Sequence, residues 1–115
     1  NGGFASMRSA PSNYSIVNIK NLCLCILGDG HRYKLNLRMD NYPDGINYQA
    51  LFTPPGEWSE VIFSYDDFKP CFHGNPVSAP PLDFSRINQI ALMIGDRQEG
   101  SFTLLVRWLR AEVYP

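Results

Sequence analysis

The stretch Arg32-Tyr33-Lys34-Leu35-Asn36-Leu37-Arg38-Met39 alternates polar and apolar side chains without a break. Successive side chains of an extended chain point to opposite faces, so strict alternation marks a strand with one wet face and one buried face. Tyr33, Leu35, Leu37 and Met39 are expected to face a core. Arg32, Lys34, Asn36 and Arg38 are expected to face the other way. Immediately before it, Asn21 to Leu27 is apolar at almost every position, as befits a central strand covered on both sides. Gly28-Asp29-Gly30 lies between the two. Asp-Gly supplies the positive backbone angles of a tight turn, which predicts an antiparallel hairpin between these strands.

The same grammar continues in both directions. Tyr14 to Ile19 reads as a weaker strand. Pro43-Asp44-Gly45 is a turn leading into a strand from Ile46 to Phe52. Thr53-Pro54-Pro55-Gly56 is another, leading into Glu57 to Ser64, where Val61 and Phe63 share a face. Residues 65 to 85 read as a long, Pro-rich, irregular excursion, with one helical turn capped by Asp83 or Ser85. Asn88 to Ile94 is a strand with Ile90, Leu92 and Ile94 on one face. Asp96 to Gly100 is expected to close a hairpin into Ser101 to Val113, where Phe102, Leu104 and Val106 share a face. No stretch shows sustained helical periodicity. Short strands punctuated by Gly and Pro predict an all-β, antiparallel β-sandwich.

Composition narrows the function. The chain has 115 residues, ten basic and eleven acidic side chains, and 44% apolar residues. That length suits one domain, residues 1–115. A net charge of −1 argues against nonspecific binding to nucleic acid. The longest apolar run, Leu22 to Leu27, is far shorter than a membrane span. The opening Asn1-Gly2-Gly3 has neither the charged start nor the apolar stretch of a signal peptide. Three cysteines (Cys23, Cys25, Cys71) are too few and too odd in number for a disulfide scaffold, and suit a reducing compartment. Cys23 and Cys25 share a strand face and read as small buried side chains rather than half a metal site. The Asn13-Tyr14-Ser15 sequon is discounted on the same compartment argument.

Catalytic motifs are missing. There is neither a phosphate loop nor a nucleophile elbow. His31 and His73 have no motif around them, and Asp66 and Asp67 point apart in an extended chain. Asp83 reads as a cap, with a buried pair to Arg86 as the alternative. No catalytic residue, metal or cofactor is expected. The one feature above background is the polar sheet face: Arg32, Lys34, Asn36 and Arg38 in one row, Asn47 and Gln49 in a row on a nearby strand, and Trp58 at the edge. It is either a solvated outer face or a recognition surface for protein or sugar.

Several short motifs then fall in order. They are Gly2-Gly3-Phe4-Ala5-Ser6-Met7-Arg8-Ser9, Gly28-Asp29-Gly30-His31-Arg32-Tyr33-Lys34, Tyr48-Gln49-Ala50, Pro55-Gly56-Glu57-Trp58, Asp67-Phe68, Phe72-His73-Gly74, Ala79-Pro80-Pro81-Leu82-Asp83 with Arg86-Ile87, and Leu92-Met93-Ile94-Gly95-Asp96-Arg97-Gln98. Together they resemble the complex I intermediate-associated protein family across nearly the whole chain. The resemblance implies a galactose-binding-like jelly roll, of which further strands precede Gly2-Gly3-Phe4, so that these residues form the greater part of a longer domain. It also implies a noncatalytic assembly or scaffold role on a membrane-bound electron-transport complex. That complex is respiratory in mitochondria, or photosynthetic in chloroplasts and bacteria. The expected partners are protein subunits of that complex, with no nucleic acid. The alternative is a carbohydrate-binding module, in which Trp58 and Tyr48 stack on a sugar over the same polar strands. The 65–85 loop is expected to form a second protein contact.

Overall fold

The computed structural model describes residues 6–8, 18–39, 46–73, 75–95 and 102–114. Nine strands are found there: β1 (Ser6–Arg8), β2 (Ile19–Leu27), β3 (Tyr33–Met39), β4 (Ile46–Phe52), β5 (Ser59–Phe63), β6 (Lys69–Phe72), β7 (Asn75–Pro76), β8 (Ile87–Ile94) and β9 (Leu105–Val113). They form a six-stranded sheet in the order β1-β8-β3-β4-β6-β7 and a three-stranded sheet in the order β5-β2-β9. Every described pairing is antiparallel. No α-helix occurs among the described residues; the only helical pieces are short 3-10 turns at Tyr65–Asp67 and Phe84–Arg86.

The core lies between the two sheets. Leu22, Leu24 and Ile26 of β2 meet Leu35 and Leu37 of β3, Tyr48 and Ala50 of β4, and Phe63, Phe68 and Phe84. Leu24, Ile26, Leu35, Leu37 and Phe84 are almost completely buried. Burying each such side chain stabilises the fold by about 1.5–3 kcal/mol before chain entropy is counted. The aromatic rings interlock edge to face: Phe52 on Phe63 at 5.2 Å and Phe68 on Phe84 at 5.9 Å between centroids.

Two expected hairpins do not form. β2 pairs with β5 and β9, whereas β3 pairs with β4 and β8, so Gly28-Asp29-Gly30 carries the chain from one sheet to the other. Gly30 does take a positive φ of 87°, as the turn chemistry requires. The same local bend serves a crossing here because long-range contacts hold it. Gly28 N–H donates to Pro55 O at 2.8 Å, and Gly95 N–H to Arg32 O at 2.7 Å. Likewise β8 and β9 lie in different sheets, and Asp96 to Gly100 lies outside the described residues. The turn at Pro43 to Gly45, residues 14–17, the sequon and the Gly2-Gly3-Phe4 motif also lie outside them.

Other expectations are refined. Ile19 opens β2 itself rather than ending a separate strand. The stretch from 65 to 85 is more regular than its Pro content suggests, because β6 pairs with β4 around Pro70. Asp83 caps the second 3-10 turn: its carboxylate accepts from Ser85 N–H at 3.0 Å and Ser85 Oγ at 2.6 Å. Asp83 and Arg86 are both exposed, so they are not a buried pair. β2 is buried on both faces, as expected of a central strand. Cys23 and Cys25 lie on its outer side, and the ion pair between Glu60 of β5 and Arg110 of β9, at 3.4 Å, spans the strand above them. All three cysteines are free and buried.

Candidate functional site

The outer face of the six-stranded sheet is built by period-2 alternation across hydrogen-bonded neighbours. On β3, Lys34, Asn36 and Arg38 alternate with the buried Tyr33, Leu35, Leu37 and Met39. β4 contributes Asn47 and Gln49, which pair with Cys71 and Lys69 of β6. β8, on the other side of β3, contributes Gln89, Ala91 and Met93, which pair with Arg38, Asn36 and Lys34. Arg32 is exposed just ahead of β3. None of these outward positions carries a carboxylate or an aromatic ring, so the face is cationic and rich in amides.

Asn36 is the buried polar residue of the face, at 5% exposure. Its Nδ2 donates to Met93 Sδ at 2.8 Å. Asn36, Arg38, Asn47, Gln89, Ala91 and Met93 enclose a polar cleft of about 130 Å³. A second, apolar cavity of about 150 Å³ opens between the sheets, where Ile87 and Ile90 of β8 face Leu109 and Ala111 of β9.

The structure separates the two aromatics expected to serve this face. Trp58 stands just before β5, in the three-stranded sheet, with Arg107 of β9 stacked over its ring at 4.2 Å. The Pro54-Pro55-Gly56 link has already carried the chain away from β4 by that point. Tyr48 is 2% exposed and faces the core, where its hydroxyl donates to Pro80 O. Its alternation with Asn47 and Gln49 puts it on the inner side.

Sequence reading missed the β8 contribution. Gln89, Ala91 and Met93 are out of phase with Ile90, Leu92 and Ile94. That signal placed them on an outer face, but nothing local identified β3 as their neighbour.

Asp29 is a polar hub of a different kind. Its carboxylate accepts from Thr103 N–H at 2.6 Å, His31 N–H at 3.1 Å and the Tyr33 hydroxyl at 3.0 Å. Burial pushes this carboxyl up, but the donors from Thr103, His31 and Tyr33 outweigh it and hold the group at about 2. Burial and the neighbouring Asp29 charge push the Tyr33 hydroxyl up to about 12. His31 Nδ1 lies 3.1 Å from Asp29 Oδ1, and its ring packs edge-on against Phe102 at 4.8 Å. His73 stacks on Phe72 at 4.1 Å. Asp67 accepts from Ser64 N–H at 2.8 Å and closes its own turn. Each of these groups has a structural occupation. Among the described residues, no group of three or more His, Cys, Asp or Glu side chains gathers as a metal site.

Residues 1–106 match the model of the complex I intermediate-associated protein 30 family. The chain belongs to this family. An uncharacterised protein of Schizosaccharomyces pombe is 35% identical over 72 residues, covering 57% of this chain and 33% of that protein. The family 11 carbohydrate-binding module of the cellulase Lic26A-Cel5E from Clostridium thermocellum superposes with a TM-score of 0.62 at 17% identity, over 88% of this chain and 63% of that one. The same module in complex with a β-1,3-1,4-mixed-linked tetrasaccharide gives the same score and identity over 88% and 64%. That likeness shows the fold, a β-sandwich of the jelly-roll type. The chain thus spans a third of the curated relative and less than two thirds of the module. No helix among the described residues is long and apolar enough to cross a membrane.

Proposed function

We propose that this family member is a noncatalytic docking module that binds a protein subunit during complex I assembly. The outer face of the six-stranded sheet makes the contact. One observation carries the reading: Lys34, Arg38 and Lys69 stand among the amides of Asn36, Asn47, Gln49 and Gln89, with no acid at any described outward position. The whole chain has a net charge of −1, so its acids are concentrated elsewhere. A cationic, amide-rich face complements a partner surface bearing carboxylates and backbone or side-chain acceptors. Family membership supports an assembly role and an organellar setting, with the mitochondrion preferred to the chloroplast because complex I is respiratory. β6, within the stretch from 65 to 85, borders the same face through Lys69 and extends it.

The sugar-stacking alternative loses its two named aromatics. Trp58 belongs to the other sheet and Tyr48 to the core.

The test replaces Arg32, Lys34 and Arg38 together with alanine. Co-purification with complex I assembly intermediates should drop several-fold while the circular dichroism spectrum and melting temperature hold. Undiminished co-purification of the folded variant removes this face from the account.

A further inference from the structure

The cations of the docking face are not equivalent. Arg32 and Lys69 are exposed. Lys34 pairs with Met93 on one side and Leu51 on the other, and does not line the polar cleft. Arg38 is half-buried and is the one charged residue in the described lining of that cleft. The ion pairs among the described residues engage His31 with Asp29 and Arg110 with Glu60, and none of them reaches Arg38. Its partner across the ladder on β8 is the neutral Gln89. The hollow beside it exists because Ala91, two residues along β8, is short and buried between Gln89 and Met93. One wall is pinned, since Asn36 Nδ2 donates to Met93 Sδ at 2.8 Å.

Exposed cations gain little from an ion pair, because water and salt screen them. A guanidinium already partly withdrawn from water gains more when paired, and costs more when a docked partner covers it and leaves it alone. That asymmetry narrows what the cleft accepts. A lysine or arginine would set like charges together. An apolar side chain would strip water from Arg38 and return no acceptor. A carboxamide supplies an acceptor, but a bond to a carboxylate is charge-assisted and roughly twice as strong. A phosphate brings a charge of about −1.5 to −2 against the single cation of the lining. A carboxylate brings one charge and two acceptor oxygens, which suit a guanidinium fork, with the amides of Asn47 and Gln89 as further donors. We infer that the cleft receives one Asp or Glu side chain of the partner protein, and that Arg38 is the residue that pairs with it, while the exposed cations only steer the approach. This inference rests on the docking reading above.

The experiment titrates the ¹⁵N-labelled chain with acetyl-glutamate methylamide, acetyl-glutamine methylamide, acetyl-norleucine methylamide and inorganic phosphate. The glutamate probe should give saturable shifts at Arg38 Nε and at the side-chain amides of Asn47 and Gln89. The other three should bind about tenfold more weakly, the difference between a charged and a neutral hydrogen bond. Arg38→Gln, which keeps a donor and removes the charge, should erase the preference for glutamate over glutamine. Ala91→Leu, which fills the hollow from β8, should weaken the glutamate probe by about the same tenfold and serves if Arg38→Gln fails to fold. In co-purification, Arg38→Ala alone should lose as much partner as the triple alanine variant, and Arg32→Ala and Lys34→Ala less than about twofold each. No saturable shift, equal or tighter binding of glutamine, norleucine or phosphate, an undiminished response in the folded variants, or a loss shared evenly among the three single alanine variants would each overturn the socket. Should the triple variant lose the partner while the glutamate probe leaves the spectrum unchanged, the docking face stands and the socket falls. A triple variant that keeps its partner removes both.

Discussion

Asp29→Asn tests whether one carboxylate ties the sheet crossing together. Asp29 sits in the link between β2 and β3, and its side chain reaches Thr103, just before β9, 74 residues further along the chain. The folded carboxyl is held at about 2 against an ordinary value of 3.8. At about 1.4 kcal/mol per pH unit, that depression contributes at most roughly 2.5 kcal/mol. The side chain is 18% exposed, so solvent screening brings the expected loss to about 1–2 kcal/mol. The sign follows from the depression. The stabilisation is full above 3.8 and fades as the pH falls through that value towards 2. Urea unfolding of both proteins at pH 7, 5, 3 and 2 is the assay. Asn should be less stable by a constant margin at pH 7 and 5, by a smaller one at pH 3, and by little at pH 2. Equal stability at neutral pH, or a margin that ignores pH, would refute the reasoning.

Other perturbations address packing and the cleft. Asn36→Leu should raise stability by about 1 kcal/mol, because it removes a buried acceptor without a partner and keeps the branched outline of the side chain. Thermal unfolding should show a higher midpoint, and a lower one would mean that Asn36 Oδ1 is satisfied. Gly28→Ala would place a Cβ 2.5 Å from Pro54 Cγ and 2.6 Å from Pro54 O. The clash is with a proline ring and a backbone carbonyl rather than the end of a flexible side chain, so the change should cost about 1–3 kcal/mol by chemical denaturation. A neutral result would show that the crossing between sheets adjusts freely.

The polar face was legible because a two-residue period needs no partner: Lys34, Asn36 and Arg38 declare their side from their own alternation. β2 was legible without a period, because Asn21 to Leu27 is apolar at almost every position and so has to be covered on both faces. The sheet to which each strand belongs was not. Asp29-Gly30 bends the chain identically in a hairpin or a crossing, and the contacts that choose between them, with Thr103 and Pro55, are remote in sequence. The cleft needed the register of β8 on β3, which no local pattern carries. Trp58 shows the same limit. Its distance along the chain from Gln49 gave no hint that the Pro54-Pro55-Gly56 link would put it under Arg107 on the opposite layer. β6 went unseen because Pro70 interrupts the donor pattern of an ordinary strand, and it is tolerated beside Tyr48 near the end of the sheet.

The claim that the six-stranded face meets a protein is tested most directly by site-specific photo-crosslinking inside the organelle. One crosslinker replaces Lys34 on that face; another replaces Glu60, on the outer side of the three-stranded sheet. Crosslinks to a complex I subunit from position 34, with none from position 60, are the predicted result. Crosslinks from position 60 and silence at position 34 would contradict it.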